Sequence, residues 1–198
     1  MNNSASRPVP PEYFDAKYAE RLDYWDFASS AYEASKYADT IQSLPARDYR
    51  NIFEIGCSIG ILTAQLATRS VNLLAIDVAE RALTAARAHC AALSNVHITR
   101  MRFPKERPPK SARFDLIIVS EVGYYWSWEE LRAAQVATEE ALEAGGHLVL
   151  VHWTPKVLDY PLTGDEVHES FLVRPSLRLL HGHRATNYRL DVLERRSR

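Results

Sequence analysis

A chain of 198 residues, 46% hydrophobic and 25% charged, has the size and composition of one globular domain with a substantial core. Twenty-four Lys and Arg against 25 Asp and Glu leave a net charge of -1, without the basic excess that marks a nucleic-acid-binding surface. With two cysteines, no apolar leader over 1–11 and no run near the roughly 18 apolar residues of a membrane span, the expectation is a cytoplasmic protein without a disulfide framework.

Residues 1–11, with three prolines, read as a disordered tail. A dense aromatic stretch follows, from Tyr13 to Tyr37, with alanines and charges between the rings. It predicts two helices, over 12–22 and 28–44, forming a helical cap over 12–46. Ser29 or Ser30 would cap the second, with Glu33 in its first turn, and Pro45 would close it. These aromatics either pack on the domain or lie over the mouth of a site.

The α/β core spans 50–198 within a single domain of 1–198. Asn51 to Gly56 is a short apolar strand that runs into a glycine turn, and 59–69 is the helix after it. Residues 71–77 make a second strand ending in Asp77; 80–93 is an alanine-rich helix; 95–100 is a third strand. The proline-rich, basic segment 103–113 reads as a surface loop, its charges solvated or in contact with an anionic group. Phe114 to Glu121 is a fourth strand, apolar on both faces as a central parallel strand requires. A helix over 128–143 stops at Gly145-Gly146, and 147–153 is a fifth strand. The signal weakens after Thr154: a short helix at 165–171, then strands at 177–183 and 186–194 separated by a turn at Gly182. Alternation of this kind predicts an α/β fold, Rossmann-like, with a mostly parallel sheet covered by helices on both faces and an antiparallel C-terminal hairpin at one edge.

Glycine after the first strand lets a backbone approach a ligand closely. A dinucleotide fold wants G-x-G-x-x-G, and Ser58 and Ile61 stand where two of those glycines belong. The pattern present, Glu54-x-Gly56-x-x-x-Gly60, resembles the first motif of class I S-adenosylmethionine-dependent methyltransferases, with Ser58 in place of their middle glycine. The resemblance implies that fold, with a seven-stranded sheet, and S-adenosyl-L-methionine as cofactor, leaving S-adenosyl-L-homocysteine as product. Glu54, Gly56, Cys57, Ser58 and Gly60 would make the cofactor turn. Asp77, 17 residues past Gly60 and at the end of the second strand, can accept hydrogen bonds from both ribose hydroxyls, or can stand before the next helix as a cap. Val78 would meet one adenine face, and Met101 and Arg102 its edge. Glu121 ends the fourth strand at the same carboxyl rim, followed by an aromatic wall of Tyr124, Tyr125 and Trp126; His152 and Trp153 end the fifth strand there.

Trp25-Asp26-Phe27, Ser30-Ala31-Tyr32-Glu33 with Lys36-Tyr37, the Cys57-Ser58 pair, Asp77, and Ser120-Glu121-Val122 with Tyr124-Tyr125 narrow the resemblance. Over about 12–190 the chain resembles the NodS group of rhizobial nodulation N-methyltransferases. That resemblance implies methyl transfer to the free amine of the non-reducing glucosamine of a deacetylated chitooligosaccharide, in nodulation-factor synthesis. Glu121 and Tyr124 are then the candidate catalytic pair, orienting the amine or taking its proton. Tyr125, Trp126, His152 and Trp153 would line the acceptor side, and Trp25, Tyr32 and Lys36 would close over the cofactor. Transfer to another small amine or hydroxyl, a non-catalytic S-adenosylmethionine-binding module, and a nicotinamide dehydrogenase are the competing readings. The cysteines and the seven histidines show no metal-ligand spacing, and His181 and His183 are expected to flank a turn.

Overall fold

The computed structural model describes residues 7–197. Residues 1–6, within the stretch expected as a tail, lie outside the described residues. The chain divides into two compact units, Pro10–Met101 and a second built from 102 onward together with the residues up to Val9.

The first unit begins with α1 (Pro11–Glu20), whose Pro11 starts the helix where a missing N–H costs nothing. The helix α2 (Ala31–Gln42) is capped by Ser30, which accepts the Glu33 N–H at 3.4 Å. It starts later than expected because Asp23 takes the N–H groups of Phe27 and Ala28 (2.7 and 3.1 Å) and holds 23–28 as a turn. Then come β1 (Tyr49–Ile55), α3 (Ile61–Ala67), β2 (Ser70–Asp77), α4 (Glu80–His89) and β3 (Val96–Arg100). The strands lie in the order β3-β2-β1, all parallel, with Glu54 beside Ala75 and Asp77 beside Arg100. Ile52, Phe53, Leu73 and Ile76 of the strands, Leu66 of α3 and Ala82, Leu83 and Ala86 of α4 are all buried. The small residues of α4 let that helix come close to the chain beneath it.

The second unit carries β4 (Phe114–Ser120), a 3₁₀ turn at Gly123–Tyr125, α5 (Trp128–Ala141), β5 (Leu142–Trp153), α6 (Gly164–Leu172), β6 (Leu177–Arg184) and β7 (Tyr188–Arg195). Its strands lie in the order β4-β5-β7-β6, with β4 and β5 parallel and β7 antiparallel to both neighbours. Every residue of β4 is buried, as its apolar run required. Ser127 caps α5, and Thr163 with Glu166 forms a reciprocal capping box on α6.

Two boundaries differ from expectation. Gly145-Gly146 does not stop α5: the helix already ends at Ala141, because Leu142 turns extended, buries its side chain fully and pairs with Phe114. The glycines sit in an irregular stretch within β5 that shifts the register before His147 pairs with Leu116. Gly182 makes no turn either. It lies inside β6 opposite Asp191, His181 and His183 of the same strand pair with Val192 and Leu190, and the hairpin reverses at 185–187.

Candidate active site

In the first unit, the chain leaves β1 into a tight turn. Gly56 and Gly60 both have φ of 85°, and Ser58 has φ of 50°. The N–H groups of Gly56 and Cys57 donate to Ile76 O (2.8 and 2.9 Å), and Gly60 N–H donates to Cys57 O (2.9 Å). A Cβ on Gly60 would lie 3.1 Å from Ala86 Cα, so glycine there answers both conformation and the approach of α4. Asp77 binds the turn from β2: Oδ2 accepts the Ser58 N–H and Oδ1 the Ala79 N–H, each at 3.0 Å. The carboxylate therefore holds the turn and also satisfies a donor at the start of α4. Glu54 is buried beneath, accepting the Thr63 hydroxyl at 2.7 Å. Burial raises its carboxyl to about 7, against the Thr63 bond and with the help of Asp77's charge. Burial raises Asp77 too, opposed by its backbone donors, and pushes the Cys57 thiol well up.

The aromatic segment covers this turn. Tyr18 of α1 reaches Ser58 Oγ at 2.6 Å and packs with Ile59, Ala79 and Ala82; Phe14, Trp25 and Phe27 pack against the same cluster. Trp25 stacks with Phe27 (centroids 5.8 Å) and meets Tyr18 edge-on (5.3 Å).

The second unit presents a carboxylate with two donors. Glu121 follows β4 in the left-handed region, φ 56°, a conformation uncommon outside glycine and frequent where function fixes a side chain. Its Oε2 accepts the Tyr124 hydroxyl at 2.5 Å and the Trp153 N–H at 3.0 Å. Burial, then the charge of Glu121, pushes the Tyr124 phenol well above its ordinary value, so it stays protonated and acts as a donor. The Tyr124 ring stacks on Tyr160 (5.2 Å), and Tyr125 OH reaches Tyr160 OH at 3.3 Å.

Residues 15–153 match the family model described as Nodulation protein S (NodS). The chain belongs to the NodS family. Nodulation protein S of Bradyrhizobium diazoefficiens is 33% identical over 104 residues, 52% of this chain and 49% of the relative. The Sinorhizobium fredii protein of the same name is 30% identical over 131 residues, 64% of this chain and 59% of the relative. The aligned part thus spans about half to three fifths of the length of these NodS relatives. The crystal structure of N-methyltransferase NodS from Bradyrhizobium japonicum WM9, in complex with S-adenosyl-l-homocysteine, superimposes with a TM-score of 0.83 at 22% identity, covering 92% of this chain and 98% of that one. The fold is accordingly that of the class I methyltransferases, a seven-stranded mixed sheet with helices and an antiparallel C-terminal hairpin.

Within this NodS-family chain, Glu54, Gly56, Cys57, Ser58, Gly60 and Asp77 gather at one turn, with Trp25 packed near it. Val78 and Met101 follow β2 and β3: Val78 O accepts from Arg100 Nε, and Met101 N–H donates to Asp77 O. Tyr32 is half-buried on α2. Lys36, 2% exposed, lies 5.5 Å from its ring and pairs with Glu33 at 2.9 Å, rather than standing open as a closing group. Arg102 belongs to the second unit, where its N–H donates to Glu106 (2.7 Å) and its guanidinium lies 3.9 Å from Glu130. Two basic residues of the loop make such pairs, Lys105 with Glu130 and Arg107 with Glu140. Tyr125 and Trp126 are buried, and Trp126 meets Phe103 at 6.0 Å.

His152 differs most from its expected place on the acceptor side. It is 0% exposed, with one ring nitrogen on Gly123 N–H and the other on His168, so it supports the wall from behind. Four residues that matter locally escaped the sequence reading: Tyr18, Tyr160, His168 and Asp191. Tyr18 stood in the aromatic stretch without a mark to separate it from its neighbours. The other three lie where periodicity fades, and no spacing rule connects them to strands 4 and 5. Among the described residues no three His, Cys, Asp or Glu side chains gather as a metal site, and no helix is long and apolar enough to cross a membrane.

Proposed function

We propose that this chain is a single-domain S-adenosylmethionine-dependent N-methyltransferase, acting in the cytoplasm on the free amine of the non-reducing glucosamine of a deacetylated chitooligosaccharide. The observation that carries the reading is Glu121, a NodS-motif carboxylate held in a left-handed backbone with two donors on one oxygen. A fixed carboxylate of this kind accepts a hydrogen bond from an amine and sets the direction of its lone pair. The two donors on Oε2 fix the direction in which the carboxylate faces the amine. Tyr124, kept protonated, supports Glu121 as a donor.

The cofactor's expected residues fit it. Three consecutive even positions with positive φ (56, 58 and 60) bring backbone to the ligand, and Asp77 holds the middle one by its N–H. Asp77 would receive the ribose hydroxyls, Val78 and Met101 would flank the adenine, and Trp25 with Tyr18 would shield the turn from water. When bound, S-adenosyl-L-methionine supplies an electrophilic methyl on a sulfonium. NodS family membership and the similarity to Nodulation protein S of other rhizobia support nodulation-factor synthesis as the setting.

The test is incubation with the cofactor and a panel of deacetylated chitooligosaccharides, acetylated controls, simple amines and alcohols. Tandem mass spectrometry should place one methyl on the non-reducing nitrogen. Methylation of a simple amine or hydroxyl alone would replace the sugar assignment. Cofactor binding without transfer to any acceptor would leave only a binding module.

A further inference from the structure

A chain of buried polar groups runs through the second unit behind Glu121. The Gly123 N–H can only donate, so His152 Nε2, 3.1 Å away, must be an unprotonated acceptor. The proton of His152 is then on Nδ1, which lies 3.1 Å from His168 Nε2 and makes that atom an acceptor in turn. His168 therefore also carries its proton on Nδ1 and donates it to Asp191 Oδ2 at 2.7 Å. Arg189 Nε holds the same carboxylate oxygen at 2.8 Å. Both imidazoles are 0% exposed and Asp191 is 3% exposed.

Two glycines show that space is cleared for this chain. A Cβ on Gly123 would lie 2.8 Å from His152 Nε2, and a Cβ on Gly182 would lie 2.0 Å from Asp191 Oδ1. The chain ends at the two donors on Glu121. Gly123 precedes Tyr124, whose hydroxyl reaches Glu121 Oε2; His152 precedes Trp153, whose N–H reaches the same oxygen.

We propose that His152, His168 and Asp191 are positioning residues: a relay of fixed tautomers that locks the 3₁₀ turn at Gly123 and so holds Tyr124 and Trp153 on Glu121. Its role in turnover rests on the proposed methyl transfer at Glu121. The physical reason is polarity. Were His168 unable to accept, the Nδ1–H of His152 would be buried without its acceptor while Gly123 still requires an acceptor at Nε2, and the ring would be free to turn away and release the turn.

Long-range nitrogen–proton NMR of histidine-labelled protein should find both buried imidazoles neutral with the proton on Nδ1. An Nε2 proton on either would overturn the relay. His168→Gln keeps an acceptor toward His152 and a donor toward Asp191; it should keep kcat within about threefold and retain the low-field Tyr124 hydroxyl proton. His168→Leu should leave the Nδ1 proton of His152 without its acceptor, lose that hydroxyl signal, and lower kcat by at least about tenfold with a smaller change in the amine's KM and none in S-adenosyl-L-homocysteine affinity. A wild-type Tyr124 signal and kcat in His168→Leu would overturn the proposal. If His168→Leu does not fold, Asp191→Ala, which removes the acceptor of the His168 Nδ1–H, is read by the same hydroxyl signal and kcat, and their persistence there overturns it. Absence of methyl transfer by the wild-type protein would instead sink the functional reading, since the tautomer and hydroxyl signals are read without substrate.

Discussion

The hydroxyl of Tyr18 and the Oγ of Ser58 are 2.6 Å apart, although 40 positions separate them in the chain. This contact ties α1 to a serine held at φ 50°, where a non-glycine residue carries a conformational cost of about 1–2 kcal/mol. Tyr18→Phe should lower unfolding free energy by about 1 kcal/mol in a urea titration. Ser58→Gly loses the same bond but relieves the backbone, so its net effect should stay within about 1 kcal/mol of zero. A larger loss from Ser58→Gly than from Tyr18→Phe would show that the turn is not strained at this position.

Asp77 joins the turn to the end of β2 through both carboxylate oxygens. Asp77→Ala removes those acceptors together with the proposed ribose partner. Calorimetry with S-adenosyl-L-homocysteine should show affinity reduced by at least about tenfold, the scale of one hydrogen bond to a charged group. Unchanged affinity would exclude Asp77 as a ribose ligand.

Glu54 gives a pH dependence with a defined sign. Its carboxyl rises from an ordinary 4.5 to about 7 on folding, chiefly by burial. Between these values the folded chain keeps a proton that the unfolded chain releases. The contribution of Glu54 is therefore complete below 4.5 and is lost as pH climbs through about 7, a loss of about 3 kcal/mol. Glu54→Gln keeps an acceptor for the Thr63 hydroxyl and has nothing to titrate. Wild-type stability in urea should fall between pH 5 and pH 8 relative to this variant, within roughly that magnitude. Parallel pH curves for the two proteins would rule the assignment out.

Glu121→Gln should reduce kcat by at least about a hundredfold on the amino-sugar acceptor, since a neutral amide holds the emerging positive charge poorly. Affinity for S-adenosyl-L-homocysteine should be unchanged. Tyr124→Phe removes one donor from Glu121 and should cost about tenfold in kcat. Full turnover by Glu121→Gln would remove Glu121 from the reaction.

Much of the fold was legible because burial imposes periodicity on the chain. The apolar run Leu116–Val119 read as a central strand, and each of its residues is fully buried. Ser29 or Ser30, with Glu33 following, read as a helix start, and it is Ser30 that accepts the Glu33 N–H. The glycine turn with Asp77 was visible too, because a left-handed backbone next to a strand end leaves a mark in residue type. Where two local rules competed, the sequence reading failed. Gly145-Gly146 read as a helix stop, yet Leu142 had already left the helix to fill the sheet core.

Residue type and spacing alone therefore determined the class of fold, the glycine turn and the acid that faces it, since each depends on neighbours within a strand, a turn or a helix. Only tertiary structure decided that Tyr18, among so many aromatics, meets Ser58, that His152 turns inward to His168, and that Asp191 closes the line across 23 further positions. Contacts of this kind depend on which strands lie side by side and on the direction of each hydrogen-bond donor, and neither is written in local periodicity.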